Sequence, residues 1–520
     1  MRIRAALIGP SRAWEQLLLQ EGFPYSVVDP RTQTLSDQYS VAIVHRDPDA
    51  AEREILGNYL RLGGALLGDV RHCAGIGGMG YREEYVQYIL GEGKPPFRSL
   101  FLADLALSGA IPLEAADLRL SNNSYGVFAG PLSGGWAVLL PFDPGAALCD
   151  FRTGKKTFYS RYERLPAEQV SLVAKGEVRH IVREALEYLH LARGFPYVHL
   201  WYFPEGASNV FAFRVDSDAA PWNDVETLYR LAQERRLSLS WFLDVKSHES
   251  WLSHFAAMVG QEIGVHCYEH RVEHSTGANF SNFGKAKKIL EAVGFKPEGF
   301  AAPFGIWTPD LAAVTQELGF RYSSEFSFAY DTLPLSPATS TEVFGVPQLP
   351  VHPICIGSLR QVGYTPRQMQ EYFMMAVRWK MERREPLFFY HHPSHRGWET
   401  VSAILETSAT KGVRSLTLGQ FAHWWEQRLK VHPEIRTEGQ WLHLDAASTI
   451  QSDESGVWMR VVRRGGQEAI IPLSGRVEFD HLTWSDPPAF TPPQDIHRIR
   501  EFDPRRMLGD LYESMIRRIR

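Results

Sequence analysis

The chain is predicted to be an α/β protein: a distorted (β/α)7-type barrel, preceded by a doubly wound parallel-sheet domain and followed by a small β-rich region with a C-terminal helix. Three observations lead there. Short apolar, strand-like runs alternate with helix-length segments through residues 3–70, and the same rhythm returns over 209–429. Breakers separate the two stretches, RGFPY and PEG at 193–206. After 430 the pattern changes to period two, which belongs to antiparallel strands. The expected units are therefore 1–195, 205–430 and 431–520.

In the first unit strands are expected at 3–9, 25–29, 41–45 and 65–70, with helices at 11–21 and 50–62. Gly63-Gly64 closes the second helix, as glycine does just past a helix end. The stretch NYLRLGGALLGDV resembles class I glutamine amidotransferase-like domains, which implies a flavodoxin-like α/β domain. Such enzymes carry a nucleophilic Cys in a tight strand–helix elbow with a His and an acid later in the chain. Cys73 sits in VRHCAGIGG instead, so a non-catalytic role in structure, binding or docking is expected. The run GIGGMG at 75–80 lacks the Lys-Ser/Thr of a phosphate loop and is read as a turn. Strand-like pieces fill 118–158, a helix 178–191, and a linker 192–206.

In the second unit strands are expected at 209–216, 237–245, 262–268, 297–302, 321–326, 346–351, 386–391 and 413–418. Helices lie between them, two of them opened by Thr308-Pro309 and Thr365-Pro366, with Pro at the first helical position. In barrels of this kind chemistry gathers where strands end and loops begin. The tail offers strand-like QWLHLDAAS, GVWMRVVRR and EAIIPLS, then a Pro-rich spacer and a basic helix near 505–520. That helix either packs against the body or touches a membrane surface.

Composition narrows the function. The 520 residues carry a formal charge of −5, 22% charged and 44% hydrophobic residues, and the mean hydropathy is −0.23. With no basic stripe, nucleic acid is not an expected partner. Four scattered cysteines without a C-x-x-C pair argue against a zinc ribbon or a disulfide framework. The N-terminal MRIRAALIGPSRAW reads as a first strand rather than a signal peptide, and no apolar run nears the roughly 20 residues that span a bilayer. The expected location is cytoplasmic.

The chemistry begins at 209–218, NVFAFRVDSD. Strand alternation puts Arg214, Asp216 and Asp218 on one face and Phe211, Phe213 and Val215 on the other. Burying two acids and a base costs several kcal/mol without compensation, so a metal, a proton or tight pairing is implied. Three further strand ends carry polar residues: GVHCYEH with His266 and His270, FAAPFG at 300–305, and FFYHHPSH with His391, His392 and His395. His266 and His270, four residues apart, can reach one point. With one carboxylate they make a three-ligand set that keeps a coordination position open.

The order strand-D-x-D, H-x3-H, APFG and strand-H-H-P over about 205–429 resembles the polysaccharide deacetylases of carbohydrate esterase family 4, the NodB-homology domain, in the branch whose first motif reads R-x-D-x-D. The resemblance implies a divalent metal, most simply Zn2+, held by Asp218, His266 and His270. It further implies Asp216 as general base, His392 (or His391) as general acid, and a backbone N–H near Phe304 as oxyanion donor. The family's third motif usually has an Arg that pairs with the catalytic Asp. Ala301 stands there, which by itself raises the Asp216 pKa; Arg214, on the same strand face, is placed to replace it. His391, Trp307 and Glu325 are the substrate-contact candidates, beside packing or surface roles. The implied activity is metal-dependent removal of an N-acyl group from an amino sugar or glycan intermediate. The alternatives are a catalytically degenerate relative that binds carbohydrate or acts as a scaffold, and a metal-independent amidohydrolase of the same fold.

Overall fold

The first sheet grows around β1 (Ala5–Ile8), flanked by β2 (Tyr25–Val28), β3 (Val41–Val44) and β4 (Ala65–Asp69) in the parallel order β2-β1-β3-β4. The computed structural model describes residues 1–446, 456–473, 475–501 and 504. All four residues of β1 are buried. Ala5 and Leu7 share a core with Leu17, Leu18 and Leu189, whereas Ala6 and Ile8 share one with Leu56, Leu60 and Val70. Alternation thus feeds helix layers on both faces. Ser11 caps the helix Arg12–Glu21, and Asp49 and Glu52 form a capping box at the helix Ala50–Arg61.

The sheet continues through β5 (Tyr81–Leu90), β6 (Leu102–Pro112), β7 (Asp117–Leu120), β8 (Tyr125–Leu132) and β9 (Gly135–Leu140). β9 lies parallel to β4, and from there β8, β7, β5 and β6 follow antiparallel. Ser133 and Gly134, both at positive φ (48° and 92°), make the two-residue turn between β8 and β9, the geometry that matches strand twist. The glycine-rich run expected as a turn is helical through Val70–Gly77 and ends at Gly78 in the left-handed region. Cys73 is buried on that helix, and burial pushes its thiol up.

A hairpin of β10 (Thr153–Thr157) and β11 (Ala167–Ser171) precedes the helix Lys175–Ala192. The expected linker at 192–206 is in fact occupied by a fully buried strand, β12 (Tyr197–Leu200). Tyr197 and Val198 join the same core as Leu186 and Leu189, so the breakers on either side bracket a strand and not a tether.

The second large sheet holds β13 (Asn209–Asp216), β14 (Ser240–Asp244), β15 (Glu262–Cys267), β16 (Gly299–Phe300), β17 (Tyr322–Ser323), β18 (Leu387–His391) and β19 (Val413–Ser415). Its order is β17-β16-β15-β14-β13-β18, with β19 beside the start of β13, and every pairing is parallel. It curls into a half-barrel. Val210 and Ala212 pack inward with Phe388 and Tyr390, while Phe211, Phe213 and Val215 pack outward with Leu228, Phe373 and Ile404. The strand expected at 346–351 is replaced by isolated bridges from Gln348 to Ser323 and Leu335. Pro347, Pro350 and Pro353 bring no N–H to a ladder. The segment still links β17 to β18, because Ser323 N donates to Pro347 O, Leu349 N to Ser323 O, and His352 N to Phe388 O.

The tail forms β20 (Pro433–Glu438), β21 (Trp441–Ala446), β22 (Trp458–Val462), β23 (Glu468–Pro472) and β24 (Arg476–Glu478). They make two antiparallel sheets, β20-β21-β24 and β12-β22-β23. Leu444, Met459 and Val461 share a core with Tyr197 and Leu189, and Ile3 N donates to Ile435 O. The tail is therefore packed into the first region. The helix expected at 505–520 lies outside the described residues. Among those described, no helix is long and apolar enough to cross a membrane.

Candidate active site

Four barrel strands end around one cavity of about 730 Å³. β13 delivers Arg214 and Asp216, both buried, and the chain then turns at Asp218 with φ 40°, a conformation that costs a non-glycine residue energy and needs support. Ser217 gives that support: its Oγ accepts from Asp244 N at 2.9 Å and lies 2.9 Å from His248 Nε2. Near the end of β15 His266 faces the cavity, while Cys267, its last residue, faces the outer core and approaches Asp244. The loop after β16 brings Phe304, and the end of β18 brings Tyr390 and His392.

Arg214 grips Asp216 through two bonds, Nε to Oδ1 at 2.8 Å and Nη2 to Oδ2 at 2.5 Å. Its Nη1 donates to Ser324 O, and its guanidinium stacks 4.9 Å from the Tyr390 ring centroid. Burial opposes ionisation of Asp216, but Arg214, followed by His266, holds its carboxyl below the ordinary value. The cation that Ala301 does not provide thus comes from the neighbouring position on β13.

Asp218 Oδ1 lies 3.3 Å from both His266 Nε2 and His270 Nε2, and those two nitrogens are 3.1 Å apart. His266 Nδ1 is 2.6 Å from Ala301 O. An N–H there donates to the carbonyl and leaves the Nε2 lone pair facing Asp218. Asp218 Oδ1 is buried without a hydrogen-bond partner, and burial that should neutralise the acid is outweighed by His392, His266 and His270. A carboxylate oxygen with no donor and two imidazole nitrogens meet at one point, a group that could hold a divalent cation. The residues fit the metal that the motif order implies.

His392 Nε2 stands 3.5 Å from Asp218 Oδ2 and 3.9 Å from Asp216 Oδ2. Burial disfavours its charge, but Asp218, then Cys355 and Asp216, raise the imidazole to about 9. Register separates it from its neighbour: Val215 pairs with His391 and Arg214 with Tyr390. His391 therefore points outward, against Phe213 and Trp398, fully buried and away from the cavity. Substrate contact through His391 does not fit that orientation.

Two other contact candidates are also displaced. Trp307 packs in the core against Phe328 and Phe344. Glu325 lies beneath the site, 1% exposed, accepting from Ser323 Oγ at 2.8 Å and Gln348 Nε2 at 3.3 Å, and burial pushes its carboxyl up to about 7. Phe304 does line the cavity, 60% exposed, with φ 60° and its ring 4.9 Å from that of His270. Gly305 beside it has φ 62°, and a Cβ there would meet the Phe326 ring at 2.3 Å.

Some lining residues carried no role in the sequence reading. Lys155, Glu168 and Gln169 reach the cavity from the β10–β11 hairpin, so the first region contributes part of its wall. No local motif marks them; only the tertiary packing does. Cys355 and His395 also line it. His395 was visible as the third histidine of FFYHHPSH, whereas Cys355 stands alone in its segment.

Comparison with known proteins gives only distant likenesses. No family model matches the chain, and no curated protein matches it. Solved structures align with about 40–50% of the chain. A Mycobacterium smegmatis protein described as a polysaccharide deacetylase is 19% identical over 44% of this chain and 93% of that one, with a TM-score of 0.38. A family 4 carbohydrate esterase from Streptomyces lividans is 14% identical over 40% and 92%, TM-score 0.30. PuuE allantoinase is 16% identical over 43% and 92%, TM-score 0.36.

Proposed function

We propose that the chain is a metal-dependent hydrolase that removes an N-acyl, acetyl-like group from an amino sugar or glycan intermediate. The observation that carries this reading is the convergence of Asp218, His266 and His270 on one point beside the Arg214–Asp216 pair and His392. Asp218, His266 and His270 would hold the ion, which would supply Lewis acidity toward an amide carbonyl and activation of water. Zinc suits two imidazoles and a carboxylate.

Asp216 is kept ionised by Arg214 and is the group available to accept the proton of the attacking water. His392, raised to about 9, carries a proton at neutral pH and is the group to hand one to the departing amine. Arg214, Asp216 and Tyr390 line the cavity yet are nearly fully buried, which limits water around the ion pair and strengthens the field each charge exerts. The N–H of Phe304, at the left-handed turn, is the proposed oxyanion donor. The unit boundaries 1–195, 205–430 and 431–520 belong to the same proposal, with the first unit serving a non-catalytic role. The β10–β11 hairpin lends it part of the cavity wall.

The degenerate-relative alternative rests on Ala301, and the Arg214–Asp216 pair supports catalysis instead. The test is acetate release from N-acetylated hexosamines and their oligomers by the purified chain. Release that stops on chelation and returns with zinc is expected. Release that survives both chelation and Asp218→Asn would assign the chain to metal-independent chemistry.

A further inference from the structure

A second ligand cluster adjoins the first and shares His392 with the proposed hydrolysis, while its other two members, Cys355 and His395, have no role in it. Cys355, His392 and His395 offer one sulfur and two imidazole nitrogens that lie within 4.8 Å of one another. Cys355 sits at the N-terminal end of the helix Ile356–Gln361, whereas His392 and His395 flank the turn that leaves β18. Two separate segments are therefore needed to assemble it.

The state of these atoms is the informative part. His392 Nδ1 and His395 Nδ1 are both buried and neither has a hydrogen-bond partner. Buried polar atoms without partners are rare, and each calls for a ligand or a function. The Cys355 side chain is 4% exposed, and its sulfur has a weak contact to Ser358 Oγ at 3.5 Å. The two histidine rings are 4.6 Å apart. His395 is held in place by the close approach of Gly357, where a Cβ would sit 2.4 Å from its ring. A substitution at 357 would push the ring out of the cluster.

We propose that Cys355, His392 and His395 form a second cation site, selective for a thiophilic divalent ion such as Zn2+ or Cd2+, and distinct from the Asp218, His266 and His270 set. Sulfur and imidazole favour such ions over Mg2+ or Ca2+. His392 faces both clusters, Nε2 toward Asp218 and Nδ1 buried beside His395. An ion on the second site takes the place of the proton on Nδ1, which leaves to solvent, and fixes the ring by that nitrogen, so His392 no longer reorients toward the leaving amine. Occupancy of the second site then turns the enzyme down as thiophilic metal accumulates. The site stands on its own geometry; only this effect on turnover rests on the hydrolase reading.

The experiment is a Cd2+ titration of the full chain, following the ultraviolet thiolate-to-cadmium band, with Zn2+ competition. The band is expected to saturate at one Cd2+ per chain, to vanish in Cys355→Ser, and to need at least about tenfold more Cd2+ in His395→Ala. It should persist in Asp218→Asn, whose first cluster is broken. A band that remains in Cys355→Ser, or is unaltered in His395→Ala, would overturn the site. The first result would place the thiolate at another cysteine. If Cys355→Ser does not fold, the His395→Ala titration still decides. For turnover, acetate release should fall as zinc passes one equivalent per chain, and His395→Ala should lose that fall. A cadmium band that behaves as expected in protein that releases no acetate would leave the site standing and remove the hydrolase reading. A second ion that binds without slowing release would overturn the regulatory effect.

Discussion

The parallel strands of the first sheet and those of the half-barrel both end in polar residues, but in the first sheet those residues satisfy one another. Asp69 accepts from Arg71 N at 2.8 Å and Arg71 Nη1 at 3.0 Å, Arg46 holds Glu52 at 2.8 and 2.7 Å, and His45 Nε2 meets Gly9 O at 3.1 Å. At the barrel ends Asp218 Oδ1, His392 Nδ1 and His395 Nδ1 are buried and unpaired. Strand ends whose polar atoms close on one another hold a fold together. Strand ends with buried atoms left over have capacity for a ligand.

The largest effect that distinguishes the two sheets is expected from Asp218→Asn or His266→Ala. Acetate release should fall on the order of 10³-fold, since each removes a donor from the point where charge develops. Asp69→Asn should leave release unchanged. Equal losses in both sheets would erase the distinction.

Arg214→Ala comes next. It leaves the Asp216 carboxylate buried and unpaired, so a loss of about 3–5 kcal/mol in denaturant unfolding is expected. Release should drop by about 10²-fold, because the base is no longer held ionised and oriented. An Arg214→Ala protein with wild-type turnover and stability would refute its role as the replacement cation.

Glu325 separates stability from chemistry. Its folded pKa, about 7, lies above the ordinary 4.5, so the native state binds more protons than the unfolded chain between those values. Its contribution is fully present below 4.5 and is lost as pH rises through about 7. Relative to Glu325→Gln, the wild type should lose up to about 3 kcal/mol between pH 4.5 and 8, measured by parallel denaturant curves. Curves that stay parallel across that range would mean the carboxyl is not held protonated. The smallest effect belongs to Cys73→Ala, which should cost about 1–2 kcal/mol for a small buried cavity and leave turnover untouched.

Much of the barrel could be read from sequence because its signals are local. The run ending in Arg214 and Asp216 has strand parity, and Thr308-Pro309 and Thr365-Pro366 are helix caps in the structure as in the sequence. His266 and His270 were legible through their spacing. What escaped depends on tertiary placement. Trp307 and Glu325 sit near the motifs in sequence, yet their side chains turn into the core and beneath Arg214. The prolines of 347–353 look harmless in an apolar run but remove the N–H groups a ladder needs. Tyr197–Leu200 was hidden between breakers because its partner, Trp458–Val462, lies some 260 residues away. Lys155, Glu168, Gln169 and Cys355 carry no motif at all.

The central claim is that Asp218, His266 and His270 hold the catalytic ion, and metal content tests it most directly. Wild type, Asp218→Asn, His266→Ala and Cys355→Ser would be purified identically, dialysed against zinc-free buffer and measured for zinc per chain alongside acetate release. The account predicts that Asp218→Asn and His266→Ala each hold one ion fewer per chain than wild type and release acetate on the order of 10³-fold more slowly, while Cys355→Ser keeps the ion of the first cluster. Equal zinc in wild type and Asp218→Asn, or full acetate release from the metal-poor variants, would contradict it.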